Sequence, residues 1–330
     1  MAYLLEPLQT GQLTLKNRLV MPPMATEKSD SDGKVTTELL EYYKEKSKGG
    51  YIGLVIIEHS YIRPEGKSSH RQLSVADDSV IEGLQKLSEV IHANGSKAVM
   101  QINHAGSATT KEITGTNPVG PSAVINLRKK TTPCELTGSE IDNIITGFAA
   151  AARRVKEAGF DGVELHSAHG FLLNQFYSLL TNKRKDAYGG DVDKRIRIHR
   201  RVIKAVRESV GENYPILLRL GASDFAEGGT TVEDSKIAAQ RLEKDGVMIL
   251  DVSGGFSGYI VPGLTGQGFF APLTEALKEV VSIPVILTGG ITEARSAEKL
   301  IAEGKADLIG VGRAIYKDSD WARRAVESLR

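Results

Sequence analysis

The residues with the clearest chemical character lie in HSAHGFLLNQF (166–176). Two of the chain's seven histidines stand three apart there, directly after the apolar run GVEL (162–165). Three chemistries are open to such a pair. A metal site needs further ligands, and the sequence offers neither H-E-x-x-H nor a cysteine companion, Cys134 being its one cysteine. A packed pair is ordinary, because histidines are often satisfied inside cores. In the third, His166 and His169 are two N–H donors converging on one substrate oxygen. Such donors polarise a carbonyl or nitro group and stabilise the enolate-like charge left by hydride addition.

Other residues invite similar questions. Arg219 lies inside the apolar run PILLRL (215–220), where a charge is costly unless it faces a partner. One reading pairs it with an inward carboxylate such as Glu58 or Glu164. The other sets it against a cofactor that becomes anionic, as a reduced flavin does near N1 and its C2 carbonyl. Gln101, at the end of KAVMQI (97–102), carries a donor and an acceptor side by side. That suits a flavin's pyrimidine edge and equally an internal hydrogen bond. TGG (288–290) and GVGR (310–313) bring backbone N–H groups and Arg313 to positions where an anion could be held, or simply make turns.

The elements that must position these residues follow a rhythm. Eight short, β-branched runs alternate with longer helical patterns: RLVM (18–21), IGLVII (52–57), KAVMQI, GVELH (162–166), PILLRL, GVMILDV (246–252), PVILT (284–288) and DLIGVG (307–312). Near-continuous apolar runs fit parallel strands buried on both faces. Segments 139–160, 191–211, 233–246 and 292–306 read as helices, the third with Ile237, Ala238, Arg241, Leu242 and Asp245 at helical spacing. The last has Thr292 as a partial N-cap and Gly304 as its stop. Eight strand–helix units predict a (β/α)8 TIM barrel formed by one domain over 1–330. A doubly wound sheet is disfavoured because no G-x-G-x-x-G follows the first strand. In a barrel the chemistry gathers where strands end, and loops after strands seven and eight commonly bind phosphate. PPMAT, EHS, NHAG, HSAH, SGG, TGG and GRA all fall at strand ends.

Bulk properties narrow the classes. The 330 residues are 41% hydrophobic and 25% charged, with net charge +1, which implies neither a nucleic-acid nor a membrane partner. No apolar stretch approaches a membrane span, and the N-terminus lacks the pattern of a secretory signal. A single cysteine leaves no internal disulfide or four-cysteine cluster. The expectation is a cytoplasmic protein acting on a small molecule, with room left for a homo-oligomer.

The residues also resemble a family. LKNRLVMPPMAT (15–26), GLVIIEHS (53–60), QINHAG (101–106), AGFDGVELHSAHGFLLNQF (158–176), TNKRKDAYGGDVDKR (181–195), LRLGASDF (218–225), SGG (253–255), TGG and GVGRA (310–314) together resemble the Old Yellow Enzyme group of FMN-dependent NAD(P)H:flavin oxidoreductases and ene-reductases. H-x-x-H-G followed by N-x-R-x-D-x-Y-G-G is the most specific element. The resemblance implies a barrel holding FMN, reduced by NADH or NADPH and passing hydride from N5 to the β-carbon of an activated alkene. It implies that Pro23, Met24, Ala25, His59 and Gly255 lie beside the flavin, with Gln101 at the pyrimidine edge and Arg219 near N1. Gly289, Gly290, Gly312 and Arg313 would hold the phosphate. His166, His169 and Phe171 would meet the substrate.

Departures from the pattern bear on the chemistry. Phe171 stands where many members have the tyrosine assigned to proton delivery. Ala25 and Glu27 replace a cysteine and a nearby tyrosine of the bacterial subgroup. His59 occupies a usually small position, as a replacement acid or a bulky group. Related dienoyl-CoA reductases add a cysteine-rich iron–sulfur segment and an NADPH domain, and this chain is expected to have neither. Three functions follow: an ene-reductase; a flavin or quinone reductase of the NADH-oxidase type with weak ene-reductase turnover; or a flavin-free phosphate-binding barrel using Glu58 or Glu164 as base.

Overall fold

The computed structural model describes residues 2–330 and contains the eight expected strands, joined in one closed parallel barrel. In chain order they are β1 (Leu19–Met21), β2 (Leu54–Tyr61), β3 (Lys97–Asn103), β4 (Gly162–Ser167), β5 (Ile216–Gly221), β6 (Ile249–Ser253), β7 (Val285–Leu287) and β8 (Leu308–Gly310). Each pairs with its sequence neighbours, and β8 closes on β1 through Ile309 opposite Leu19.

Alternation along each strand divides its side chains between two cores. One face, with Val55, Ile57, Met100, Val163, Leu165, Leu218 and Leu250, packs under the helices. The other fills the barrel, where Val20, Leu54, Ile56, Val99, Leu217, Ile249, Ile286 and Leu308 form an apolar layer. An antiparallel hairpin, Leu8–Thr10 with Leu13–Leu15, adds Leu13 and Leu15 to that layer and stoppers the barrel's N-terminal end. Two residues further along four of the strands the same inward face turns polar: Glu58, Gln101, Arg219 and Asp251 follow Ile56, Val99, Leu217 and Ile249. All four are buried.

The helices cover the outside with amphipathic stripes. Gly138–Glu157 buries Ile141, Ile144, Ile145, Phe148, Ala151, Ala152 and Val155 at three- and four-residue spacing. A capping box between Thr137 and Glu140 starts it. Thr231 and Asp234 make a second box for Val232–Lys244. Three sequence expectations change here. In that last helix Ile237 is exposed, and the buried stripe is Ser235, Ala238, Ala239 and Leu242. Segment 191–211 is two helices, Val192–Arg195 and Arg197–Val210. Thr292 is not a cap: Glu293 precedes the helix Ala294–Ala302, and the Thr292 hydroxyl instead accepts from Gln267 Nε2 at 2.8 Å. Gly304 does end the helix region, at φ +73°. No described helix is long and apolar enough to cross a membrane.

Candidate active site

A cavity of about 750 Å³ opens at the C-terminal ends of the strands. Its lining includes Pro23, Met24, Ala25, His59, Gln101, His166, His169, Phe171, Arg219, Gly289, Gly290, Gly312 and Arg313. Of the residues expected to meet the flavin or the substrate, Gly255 alone is not in that lining. A Cβ there would stand 2.3 Å from Asp224 Oδ1, so Gly255 permits close packing of two loops. Sequence reasoning missed Arg128, Tyr259, Ile260, Phe269, Phe270 and Lys317, which reach the cavity from long loops and a short helix without motif character. The charged lining residues are Arg128, Arg219, Arg313 and Lys317, with no carboxylate among them. The complement of such a site is an anion.

Glycines shape one end. Gly290 has φ +69°, and a Cβ on it would lie 2.2 Å from the Gly266 carbonyl oxygen. Any side chain would therefore displace the loop after β7. At Gly312 a Cβ would meet Met24 Sδ at 3.0 Å, so the loops after β1 and β8 touch through this glycine.

At the opposite side lie the histidines. His166 is the penultimate residue of β4, but His169 is in a turn and not on a helix, which begins only at Leu172. Its φ of +59° is left-handed, a conformation that costs energy in a non-glycine residue and that clusters at functional sites. The ring centroids of His166 and His169 are 5.2 Å apart and nearly perpendicular. His169 Nε2 lies 2.8 Å from Ser253 Oγ, at the end of β6. His166 Nδ1 is buried with no protein partner. Burial, reinforced by Arg219, pushes both imidazoles well below the usual histidine range, so both are neutral at pH 7. Among the described residues no group of three or more His, Cys, Asp or Glu is placed to hold a metal.

Phe171 packs between two imidazoles, 4.7 Å from the His166 ring and 4.9 Å from that of His59. His59 belongs to β2, at the register shift between Ile57 and Ser60, where a bulge redirects the chain. Ser68 N donates to Gln72 Oε1 at 2.6 Å, which fixes that amide, and Gln72 Nε2 then donates to His59 Nδ1 at 2.9 Å. The remaining proton of His59 is therefore on Nε2. Burial, with Arg219 adding to it, pushes its pKa down to about 4. A neutral imidazole is a hydrogen-bond donor but a poor acid, which argues against His59 as the substitute acid.

Beneath the cavity is a polar layer with unusual bookkeeping. Gln101 Nε2 donates to Glu164 Oε2 at 2.6 Å, leaving Gln101 Oε1 buried and unpartnered. Arg219 is paired with neither Glu58 nor Glu164. Its partner is Asp251, directly opposite it in the β5–β6 register, with Nε 3.2 Å from Oδ2. The pair is close in charge but lacks hydrogen-bond geometry, and neither Asp251 oxygen has a donor. Burial, and then the charge of Asp251, raise Glu164 well above the carboxylate range. Glu58 is pushed up to about 7 by burial and accepts from the Thr26 hydroxyl (2.6 Å) and the Tyr43 hydroxyl (3.3 Å), fastening the loop after β1. Neither Glu58 nor Glu164 lines the cavity, so neither serves as the exposed base a flavin-free barrel would need.

A closed barrel with its cationic cavity at the strand C-termini defines an α/β-barrel enzyme site. The chain belongs to the NADH:flavin oxidoreductase / NADH oxidase family, whose sequence profile matches residues 3–330. It is 45% identical over 323 residues to an NADH oxidase of Thermoanaerobacter brockii, covering 96% of this chain and 50% of that protein. The chain thus spans about half the length of that relative. An NADPH dehydrogenase of Clostridium acetobutylicum is 37% identical over 308 residues, 93% of this chain and 89% of the relative. Among solved structures, a 2-naphthoyl-CoA reductase in complex with 2-naphthoyl-CoA superposes with a TM-score of 0.94 at 28% identity, over 99% of this chain and 52% of the other. The old yellow enzyme homologue from Zymomonas mobilis gives 0.85 at 26% identity, over 99% and 93%. The family and these relatives point to FMN as cofactor and NAD(P)H as reductant.

Proposed function

We propose that the chain binds FMN in this cavity and reduces an electron-poor, oxygen-bearing acceptor such as an enone. The observation that carries the reading is the pair of neutral, adjoining imidazoles at the cavity wall, one with a buried Nδ1 that has no protein partner. The other residues fit the cofactor. Gln101 Oε1, orphaned and buried, is an acceptor for the pyrimidine edge, and Arg219 supplies a cation beside it. Pro23, Met24 and Ala25 flank the ring system, while Gly289, Gly290, Gly312 and Arg313 take the phosphate, with no carboxylate in the lining to repel it. When bound, the flavin supplies the hydride chemistry, accepting a hydride from NAD(P)H and passing it to the acceptor.

The protein's part is to hold the acceptor's oxygen and to supply one proton. We assign the Ser253 hydroxyl, 2.8 Å away, as donor to His169 Nε2, which leaves Nδ1–H to grip the oxygen. A 2-naphthoyl-CoA-like thioester falls within the same class of conjugated carbonyls. For the proton, Phe171 has nothing to give and His59 is a poor acid. Tyr259 is the one phenol in the lining, its ring 5.6 Å from that of His169, and we assign it the proton for the α-carbon.

Two measurements test this. The FMN-loaded protein should be yellow, bleach anaerobically with NADH or NADPH, and recover colour with an enone; a colourless protein that takes up no FMN overturns the reading. Tyr259→Phe should slow reoxidation by enones about 10²-fold or more, within the 10²–10⁴ range of general acid catalysis. Phe171→Tyr, which puts a phenol between His59 and His166, should restore it. Equal enone rates in all three proteins would free Tyr259 of that role. A second reading is favoured by Phe171: quinones or oxygen take their protons from water, so turnover of the NADH-oxidase type needs no side-chain acid at this wall.

A further inference from the structure

We propose that the cavity mouth beside His169 is a phosphate subsite, built on Arg128 and its turn, that binds the phosphorylated nucleotide tail of a cavity ligand. The inference rests on the functional reading above for the identity of that ligand, but not for the subsite itself. Three of the four lining cations are already accounted for: Arg219 is matched by Asp251, and Arg313 and Lys317 stand with the glycines after β7 and β8. Arg128 is left over. It lies on the histidine side, close enough for its charge to depress His169.

The turn that carries it is well built. Asn126 is buried, its Nδ2 donates to Ser107 Oγ at 3.1 Å, and its Oδ1 accepts from the backbone N–H of both Arg128 and Lys129 at 3.1 Å. Lys130 N–H returns to the Asn126 carbonyl at 2.7 Å, with Lys130 at φ +55°. The result presents Arg128, Lys129 and Lys130 consecutively, in a stretch without any acidic residue from 113 to 134. Among the described residues none of the three has a carboxylate within ion-pair distance. Like charges held together without counter-ions repel one another, and an anion relieves that repulsion.

Arg128 is aimed across the mouth. Its Nη2 donates to the Ser257 carbonyl at 2.9 Å in the loop after β6, leaving the rest of the guanidinium fork for a ligand. Large apolar side chains nearby are open to solvent: Tyr259 (57% exposed) and Ile260 (59%) line the same cavity, and Ile125 (52%) and Leu127 (79%) belong to the turn that carries Arg128. A small enone needs neither the cations nor this apolar rim. A nucleotide uses both, its base against the apolar surface and its phosphate on the guanidinium. Two ligands of the class carry a phosphomonoester on an adenosine ribose: NADPH as reductant, and a coenzyme A thioester as acceptor.

The test uses FMN-loaded wild type, Arg128→Ala and Lys129→Ala/Lys130→Ala. Titration calorimetry with adenosine 2′,5′-bisphosphate, adenosine 3′,5′-bisphosphate and 5′-AMP reads the subsite without turnover. The matching bisphosphate should bind wild type more tightly than AMP, and lose about 10- to 100-fold in Arg128→Ala, the worth of one hydrogen bond to a charged group. Steady-state ratios then separate the sources. A rise in KM for NADPH relative to NADH assigns the subsite to the reductant. A rise for an enoyl-CoA relative to its pantetheine thioester assigns it to the acceptor. Because each readout is a ratio within one protein, a loss of folding or of flavin moves numerator and denominator together. Bisphosphates that bind no better than AMP, with both KM ratios unchanged in both variants, overturn the proposal. Intact bisphosphate binding without enone turnover would instead overturn the enzymatic reading and leave the subsite standing.

Discussion

His166→Ala with His169→Ala is expected to lower the rate at which enones reoxidise the reduced protein by about 10²–10³-fold, the effect of removing a preorganised oxyanion donor. The two losses should not add, because donors converging on one oxygen act as a unit. Affinity for a phenol, which offers its oxygen to the same pair, should fall in parallel. Ser253→Ala tests the tautomer argument separately: without the hydroxyl next to Nε2, His169 is no longer held as the Nδ1–H form, and a smaller loss of the same kind is expected. The pH profile supplies a sign. Since burial holds both imidazoles below the ordinary histidine range, neither should titrate between pH 6 and 8, and the wild-type rate should show no limb from them there. Unchanged enone reoxidation together with unchanged phenol affinity would remove the histidines from the reaction.

The second large effect is on stability. Arg219→Met leaves Asp251, wholly buried and without a hydrogen-bond donor, with no compensating charge. Breaking a buried pair from one side costs about 3–5 kcal/mol. The mechanism fixes its dependence on pH. In wild type, burial pushes Asp251 up to about 6 while Arg219 opposes the shift; without Arg219 the folded carboxyl must keep its proton to a higher pH. An unfolded aspartate releases it near about 3.9, so each further pH unit of retention costs about 1.4 kcal/mol. The gap between wild type and variant should therefore widen above about pH 6 and shrink below it. Urea unfolding at pH 5.5 and pH 8 measures this, and Arg219→Met/Asp251→Asn should recover most of the loss at pH 8. A gap of the same size at both pH values would show that the penalty is one of packing and not of charge.

Much of the barrel can be read from the sequence because parallel strands buried on both faces leave continuous apolar runs, and all eight runs became strands. The histidine pair, Gln101, Arg219 and the two glycine loops were found for a related reason. They interrupt or end such runs, and strand ends converge on one face. What stayed hidden is whatever depends on register or on loops. Asp251 sits in an equally apolar run, and only the alignment of β5 against β6 sets it opposite Arg219. Gln72 holds His59 from a loop of no regular pattern. Gly255 looked like Gly289 in sequence, yet one packs against Asp224 and the other faces the cavity. The left-handed backbone of His169 was invisible because the residue after it is a glycine, which could have taken the turn alone.

The two leucines of the N-terminal hairpin have a consequence for traffic. Leu13 and Leu15 pack into the floor of the barrel, and the cavity opens at the other end, at the strand C-termini. On the proposed reading, the reductant and the acceptor would both enter by the mouth that Arg128 and Tyr259 line. The two would then be served in turn, the first departing before the second is admitted. A crowd of either kind at the threshold keeps the other waiting, so abundance of one partner becomes a brake on the whole cycle.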